Sequence, residues 1–219
     1  MSTTNSAKAD ILLLMGGTFD PIHLGHILPA EETAHWLGAK QVALIPAHIP
    51  PHKSTPHASA KQRVTMTELA CNNHPLFHID TRELQRDSHS FTVDTLIELK
   101  AEQPNKRLHF IMGMDSLLSF TCWERWQQIL ALCHLVVNIR PGYSHQQLEK
   151  NISPQLHAHI VDNITELEKH PVGKIILHDC TAADISSTDI RAKIKTGEDY
   201  SPFVSQDVHE YIEQQQLYR

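Results

Sequence analysis

The feature that most constrains this chain is a recurrence of short apolar runs, each stopped by a turn residue and followed by a segment with helical spacing. Ile11-Leu-Leu-Leu14 runs toward Gly16-Gly17, Val42-Ala-Leu-Ile45 toward Pro46, and Leu108-His-Phe-Ile-Met112 toward Gly113. Leu76–Ile79, Leu135–Val137 and Ile175–Leu177 are briefer runs of the same kind. A run without polar alternation is what a strand buried on both faces requires. Between these runs, apolar residues recur three and four apart. His23–Leu37 carries Leu24, Ile27, Leu28, Ala34 and Leu37 and closes on Gly38, with Pro29 either kinking the helix or marking its true start. Ala60–Asn72, Thr92–Glu102, Leu117–Leu132, Thr188–Lys195 and Val204–Gln214 read as further helices, and the polar Pro141–His170 stretch as a peripheral insertion. Such alternation predicts an α/β fold, a doubly wound parallel sheet with helices on both faces and two C-terminal helices. Residues 1–10 read as a polar tail and residues 11–219 as one domain, the size expected of a chain this long.

Composition narrows the class of partner. The net charge of −6 argues against a general nucleic-acid binder, although a local basic pocket is enough for a small polyanion. The run Ile11–Met15 is too short to span a bilayer, and no signal-peptide pattern precedes it. Cys71, Cys122, Cys133 and Cys180 form no Cys-x-x-Cys pair, so they predict neither a zinc knuckle nor a disulfide framework. The expectation is a cytoplasmic protein with reduced thiols and neither a membrane nor a nucleic-acid partner.

In open parallel sheets ligands bind beyond the carboxyl ends of the strands. That directs attention to four turns: Met15–His26, Pro46–Lys53, Gly113–Ser116 and Ala182–Arg191. The first contains Gly16-Gly-Thr-Phe-Asp-Pro-Ile-His-Leu-Gly-His26. Its glycines let backbone approach a ligand, and His23 and His26, three apart, face one way on a helix. A helix start with available N–H groups and two imidazoles suits a phosphate. The pattern is neither Gly-x-Gly-x-x-Gly nor a P-loop, and a zinc pair would lack a third ligand. The last turn, Ile185-Ser-Ser-Thr-Asp-Ile-Arg191, has capping-box spacing at Ser186 and Asp189. Its hydroxyls and the forked cation of Arg191 make a second anion site.

These two segments, in this order, resemble the nucleotidyltransferase superfamily that carries His-x-Gly-His and Ile-Ser-x-Thr-x-x-Arg signatures. The long form of the first is similar to that of bacterial nicotinate mononucleotide adenylyltransferases. Three middle segments resemble the same enzymes: Ile45-Pro-Ala-His-Ile-Pro-Pro-His-Lys53, Ser90-Phe-Thr-Val-Asp-Thr-Leu96 and Gly113-Met-Asp-Ser116. Trp123 matches the family tryptophan of Leu-x-x-Phe-x-x-Trp, and Trp126 reads as core.

The resemblance implies a Rossmann-like fold and adenylyl transfer from ATP to nicotinate mononucleotide, releasing pyrophosphate, as a step of NAD biosynthesis. His23, His26 and Arg191 would be catalytic. ATP would meet Gly16, Gly17, Thr18, Phe19, Gly113, Asp115, Ile185, Ser186, Ser187, Thr188 and Arg191. The mononucleotide would meet Asp20, Lys53, Thr92, Trp123 and Glu124. No protein metal site is expected; Mg2+ would be held mainly by the ATP phosphates. Alternatives are an adenylyltransferase for nicotinamide mononucleotide and a non-catalytic ATP-binding sensor. Assembly of the chain with itself stays open.

Overall fold

The computed structural model describes residues 10–48, 55–72, 74–86, 89–139, 151–181 and 185–219. Among them, seven strands form one wholly parallel sheet: β1 (Ile11–Gly17), β2 (Val42–Pro46), β3 (Phe77–Ile79), β4 (Arg107–Gly113), β5 (His134–Ile139), β6 (Ile160–Val161) and β7 (Ile175–Asp179). Their order is β3-β2-β1-β4-β5-β7-β6. The chain winds outward from β1 in one direction, then returns to β4 and winds in the other. The carboxyl ends of β1 and β4 therefore flank the switch point, where an open α/β sheet leaves a crevice.

Alternate residues of each strand feed two cores, as strand geometry dictates. Leu12 and Leu14 face Val93, Leu96 and Leu99 of α3 (Thr92–Glu102), Leu117 of α4 (Met114–Leu118) and Ile129 of α5 (Trp126–Leu132). Leu13 faces the other way, toward Ala30 and Ala34 of α1 (Leu24–Leu37) and Met66 of α2 (Ala60–Ala70). The same core takes Leu167 of α6 (Ile164–Glu168), Ile190 of α7 (Ser187–Thr196) and Val208 of α8 (Gln206–Gln214). Because all seven strands are parallel, their carboxyl ends share one rim.

Several local expectations need correction. Gly16 and Gly17 are still strand, in register with Ile45 and Pro46, so the turn begins at Thr18. Pro29 lies inside α1 without ending it; the Pro29 carbonyl accepts hydrogen bonds from Thr33 Oγ1 at 2.7 Å and Asn138 Nδ2 at 3.3 Å. The helix expected over Leu117–Leu132 is three pieces: α4 ends at its cap Ser119, a 3-10 turn covers Phe120–Cys122 and stops at an extended Trp123, and α5 starts afresh after Arg125, whose backbone is left-handed at φ 49°. The described part of the supposed insertion, residues 151–170, is structural: it adds strand β6 to the sheet edge and buries Ile152, Leu156 and Leu167. Its apolar residues lack a regular period, which is why sequence spacing hides them. Among the described residues no helix is long and apolar enough to cross a membrane, and none of the four cysteines is in a disulfide.

Candidate active site

Close approach, rather than backbone conformation, makes glycine necessary at the end of β1. A Cβ on Gly17 would lie 2.6 Å from Phe19 Cε1, and one on Gly16 would lie 3.3 Å from Phe110 Cζ. Phe19, at φ 50°, turns its ring inward, where it is buried and meets His26 edge-on at 5.2 Å between ring centroids. The Phe19 side chain is thus a floor under His26.

His23 caps α1 with an extended backbone, and its N–H donates to His26 Nδ1 at 3.3 Å. That bond fixes the neutral His26 tautomer with its ring proton on Nε2. The two imidazoles lie 3.8 Å apart, centroid to centroid, at the positive end of a 14-residue helix. The spacing of three brings the rings together as the sequence predicts, tilted by 35°, with His23 as the cap and His26 in the first turn.

The last signature docks directly onto the first. Ser187 Oγ donates to the Pro21 carbonyl at 2.9 Å, and Arg191 Nη1 donates to the Asp20 carbonyl at 2.7 Å. Arg191 Nη2 reaches Thr188 Oγ1 at 3.3 Å. The capping box is present: Ser186 Oγ accepts from Asp189 N at 3.1 Å, while Asp189 Oδ2 accepts from Ser186 N at 3.0 Å. Ile185 is buried in the core. Hence the start of α7 and the start of α1 are one surface, although the signatures lie far apart in sequence. Two helix N-termini, two imidazoles, a guanidinium and a threonine hydroxyl converge there, a donor set made for anions.

Gly113 and Asp115 stand exposed across the switch point, at the end of β4 and in the first turn of α4. Thr92 opens α3, whose cap residue Phe91 makes no side-chain capping bond. Trp123 is half-buried, packed at 6.2 Å on Phe110 and 5.6 Å on Phe120 between ring centroids, while Glu124 is exposed. Arg125 pairs with Asp94 of α3, which ties the Trp123–Glu124 segment beside the start of that helix. Trp126 also packs on Phe120, at 6.0 Å. Phe110 links the halves, touching both Trp123 and the Gly16 backbone position. Lys53, expected at the mononucleotide, lies outside the described residues.

Comparison with known proteins identifies the family. The cytidylyltransferase-like family model matches residues 14–193. A Yersinia pestis (strain Pestoides F) protein named "Probable nicotinate-nucleotide adenylyltransferase" is 46% identical over 218 residues, 98% of each chain. The chain belongs to the nicotinate-nucleotide adenylyltransferase family. An Aeromonas hydrophila member of the same name is 44% identical over 206 residues, covering 94% of this chain and 96% of its own. The fold matches that of the Plasmodium falciparum nicotinic acid mononucleotide adenylyltransferase complexed with NaAD, at a TM-score of 0.70 and 18% identity, over 95% of this chain and 97% of that one.

Within this family member, the structure adds residues that sequence reasoning does not single out. Arg63 of α2 is 1% exposed and donates to the Thr18 and Ala47 carbonyls at 2.7 Å each and to the His48 carbonyl at 3.3 Å. Burial lowers its pKa, an effect opposed by the nearby Asp20 charge. One side chain thus locks the turns after β1 and β2 together. Its signal in the sequence was its place three and four residues before Met66 and Thr67, on the buried face of a helix. Asp20 is buried too, and its carboxylate is committed to the protein. Oδ2 accepts from His57 N at 2.8 Å, and Oδ1 accepts from Ala58 N at 3.0 Å and from the Tyr218 hydroxyl at 2.8 Å. Glu83 is buried against α3, accepting from Thr95 Oγ1 at 2.7 Å; desolvation raises its pKa, while bonds from Thr95 and Ser90 and the charge of Arg86 oppose the rise. Ser90 Oγ accepts from His48 N at 2.9 Å, so this cluster braces the start of α3 against the turn after β2.

Proposed function

We propose that this protein transfers the adenylyl group of ATP to nicotinate mononucleotide, forming nicotinate adenine dinucleotide and pyrophosphate. The observation that carries the reading is the docking of Ser187 and Arg191 onto the carbonyls of Pro21 and Asp20, which merges two anion-binding helix starts at the switch point. Support for the substrate comes from the names of relatives that match nearly end to end, and from a structural neighbour solved with NaAD.

The chemistry follows from charge placement. A phosphate oxygen of the mononucleotide attacks the α-phosphorus of ATP in line. The new P–O bond forms as the bridge to the β-phosphate breaks, and pyrophosphate leaves with that electron pair. The attacking oxygen is already anionic, so no general base and no covalent intermediate are needed. What remains is positioning and stabilisation of charge that builds in the transition state. His23 and His26 hold the reacting phosphate. Arg191, Thr188 and the backbone N–H of Ser187 hold the departing pyrophosphate. Thr92 at the start of α3 and the Trp123 face take the pyridine ring, with Glu124 beside them; Gly113 and Asp115 take the nucleoside. Among the described residues, Thr18 Oγ1 and His48 Nδ1 are buried polar atoms without a hydrogen-bond partner, as expected at the edge of a site that a polar ligand completes.

The donors around the two helix starts are imidazole, guanidinium and hydroxyl, which match phosphate oxygens rather than a divalent cation. Mg2+ fits here only as part of the nucleotide, where it neutralises phosphate charge. The reading places the protein in the cytoplasm.

Pyrophosphate release tests the proposal with ATP, Mg2+ and either nicotinate or nicotinamide mononucleotide. Release with a strong preference for the acid is expected. Preference for the amide would keep the chemistry and overturn the substrate; nucleotide binding without release would make the protein a sensor. His26→Ala removes one donor to the reacting phosphate and should cut kcat by about 10²–10³-fold with the fold intact. A purified variant with wild-type kcat would remove His26 from the mechanism.

A further inference from the structure

We propose that Tyr218, beyond the last helix, is a positioning residue for the phosphate site, acting through Asp20; the kinetic side of this rests on the adenylyl-transfer reading. Tyr218 lies 198 residues from Asp20 in sequence, yet its hydroxyl donates to Asp20 Oδ1 at 2.8 Å. The chain bends to make this contact: Gln216 at φ 50° and Tyr218 at φ 68° both adopt the left-handed backbone that side chains disfavour. Strain of this kind persists where surrounding contacts over-determine it. Burial and the adjacent Asp20 carboxylate raise the Tyr218 pKa, so the hydroxyl keeps its proton and stays a donor.

Asp20 is the junction that makes the contact matter. Its carboxylate holds the backbone N–H groups of His57 and Ala58, and its own carbonyl accepts Arg191 Nη1 at 2.7 Å. It also stands three residues before His23. A rotation of Asp20 therefore moves the carbonyl that sets the guanidinium, and with it the group that holds pyrophosphate. Tyr218 closes the last side of the carboxylate and removes that freedom. A second tyrosine supplies the internal control. Tyr200 makes the same kind of bond in the same C-terminal region, but donates at 2.8 Å to Glu213 Oε1 on α8 rather than to Asp20.

The experiment compares Tyr218→Phe with Tyr200→Phe in the full chain. Each loses one part-buried hydroxyl bond, so both should lose a few degrees of Tm. Only Tyr218→Phe should lower kcat, by about five- to twentyfold, and raise the KM for pyrophosphate in the reverse reaction by a similar factor. Amide hydrogen exchange provides a readout that needs no turnover: His57 and Ala58 should exchange at least tenfold faster in Tyr218→Phe and at the wild-type rate in Tyr200→Phe. Wild-type kinetics for Tyr218→Phe, or equal losses in both variants, would overturn the proposal. If the unmodified protein releases no pyrophosphate, the adenylyl-transfer reading fails by itself, and the exchange rates at His57 and Ala58 decide the role of Tyr218: unchanged rates reject it.

Discussion

At the scale of single residues, the site is built from atoms whose alternatives are excluded by space. Gly17 is the clearest case. The backbone there is ordinary strand, yet a methyl group would sit 2.6 Å from Phe19 Cε1 and 2.9 Å from Cζ. Phe19 cannot retreat freely, because it is 1% exposed and its ring edge supports His26. Gly17→Ala should therefore destabilise by about 1–3 kcal/mol, the range for overpacking a filled core. It should also reduce kcat by displacing His26, while the KM for the mononucleotide changes less. Thermal unfolding and steady-state kinetics on the same sample check both; a variant equal to wild type in Tm and kcat would mean that Phe19 yields without moving the imidazole. The histidines of this turn were legible in the sequence because the contact between their two rings is made within one helical turn, and Gly17 because the ring that crowds it belongs to Phe19, two residues on. Arg63 and Tyr218 were not, since they satisfy carbonyls and one carboxylate that are 15, 16, 45 and 198 residues away.

At the scale of elements, the same distinction separates what sequence reading recovered. β2 and α3 emerge almost at their true limits, because an unbroken apolar run and a three-four apolar period each report one element without outside information. The segment from Met114 to Leu132 breaks where Arg125 turns left-handed, and the bond that rewards this is with Asp94 on another helix. α2 poses the sharper question, since its one fully buried charge joins it to two strand ends. Removing the guanidinium leaves the carbonyls of Thr18, Ala47 and His48 with one donor fewer each, at about 1–3 kcal/mol per buried acceptor left unpaired. Relief of the buried charge offsets part of this. Arg63→Met is expected to lose at least about 2 kcal/mol. Arg63→Lys, which keeps the charge without the fork, should recover only part of it. Urea titrations of both variants are the measurement, and equal stability of Met and Lys would show that charge, rather than the forked geometry, is what α2 contributes.

For the whole molecule, the candidate site occupies one rim of the sheet, and the two histidines whose pKa values burial lowers furthest occupy the other. His109 of β4 and His134 of β5 are register partners near the amino ends of their strands, 3% and 1% exposed, with rings 4.9 Å apart. His134 Nδ1 accepts from Lys174 N at 3.2 Å, so its proton is on Nε2, which donates to the His170 carbonyl at 3.1 Å. His109 Nδ1 faces the Arg107 carbonyl at 3.3 Å. A second proton on His134 would point at the Lys174 N–H and find no acceptor. Burial comes first among the causes that lower both values, to about 3 for His109 and about 4 for His134, with the partner imidazole, Arg107 and His170 adding repulsion. The sign follows from linkage. An unfolded histidine takes up its proton near about pH 6.5 while these two stay neutral in the fold, so acid favours the unfolded chain. Their stabilising contribution is complete above about pH 6.5 and is lost progressively as pH falls toward the folded values. At pH 5 that loss is on the order of 2 kcal/mol for each histidine. His109→Phe keeps a ring of similar size and deletes one of the two titrations. Its stability relative to wild type should improve steadily from pH 7 to pH 5, whatever the difference at neutral pH. Urea unfolding at pH 7, 6 and 5 measures that difference, and a gap that stays constant across the three would place the acid sensitivity elsewhere among the 17 histidines. Because the pair lies at the rim opposite His23 and His26, the same substitution should leave the KM for ATP unchanged at pH 7.5, which separates a stability device in the sheet from the chemistry at its other end.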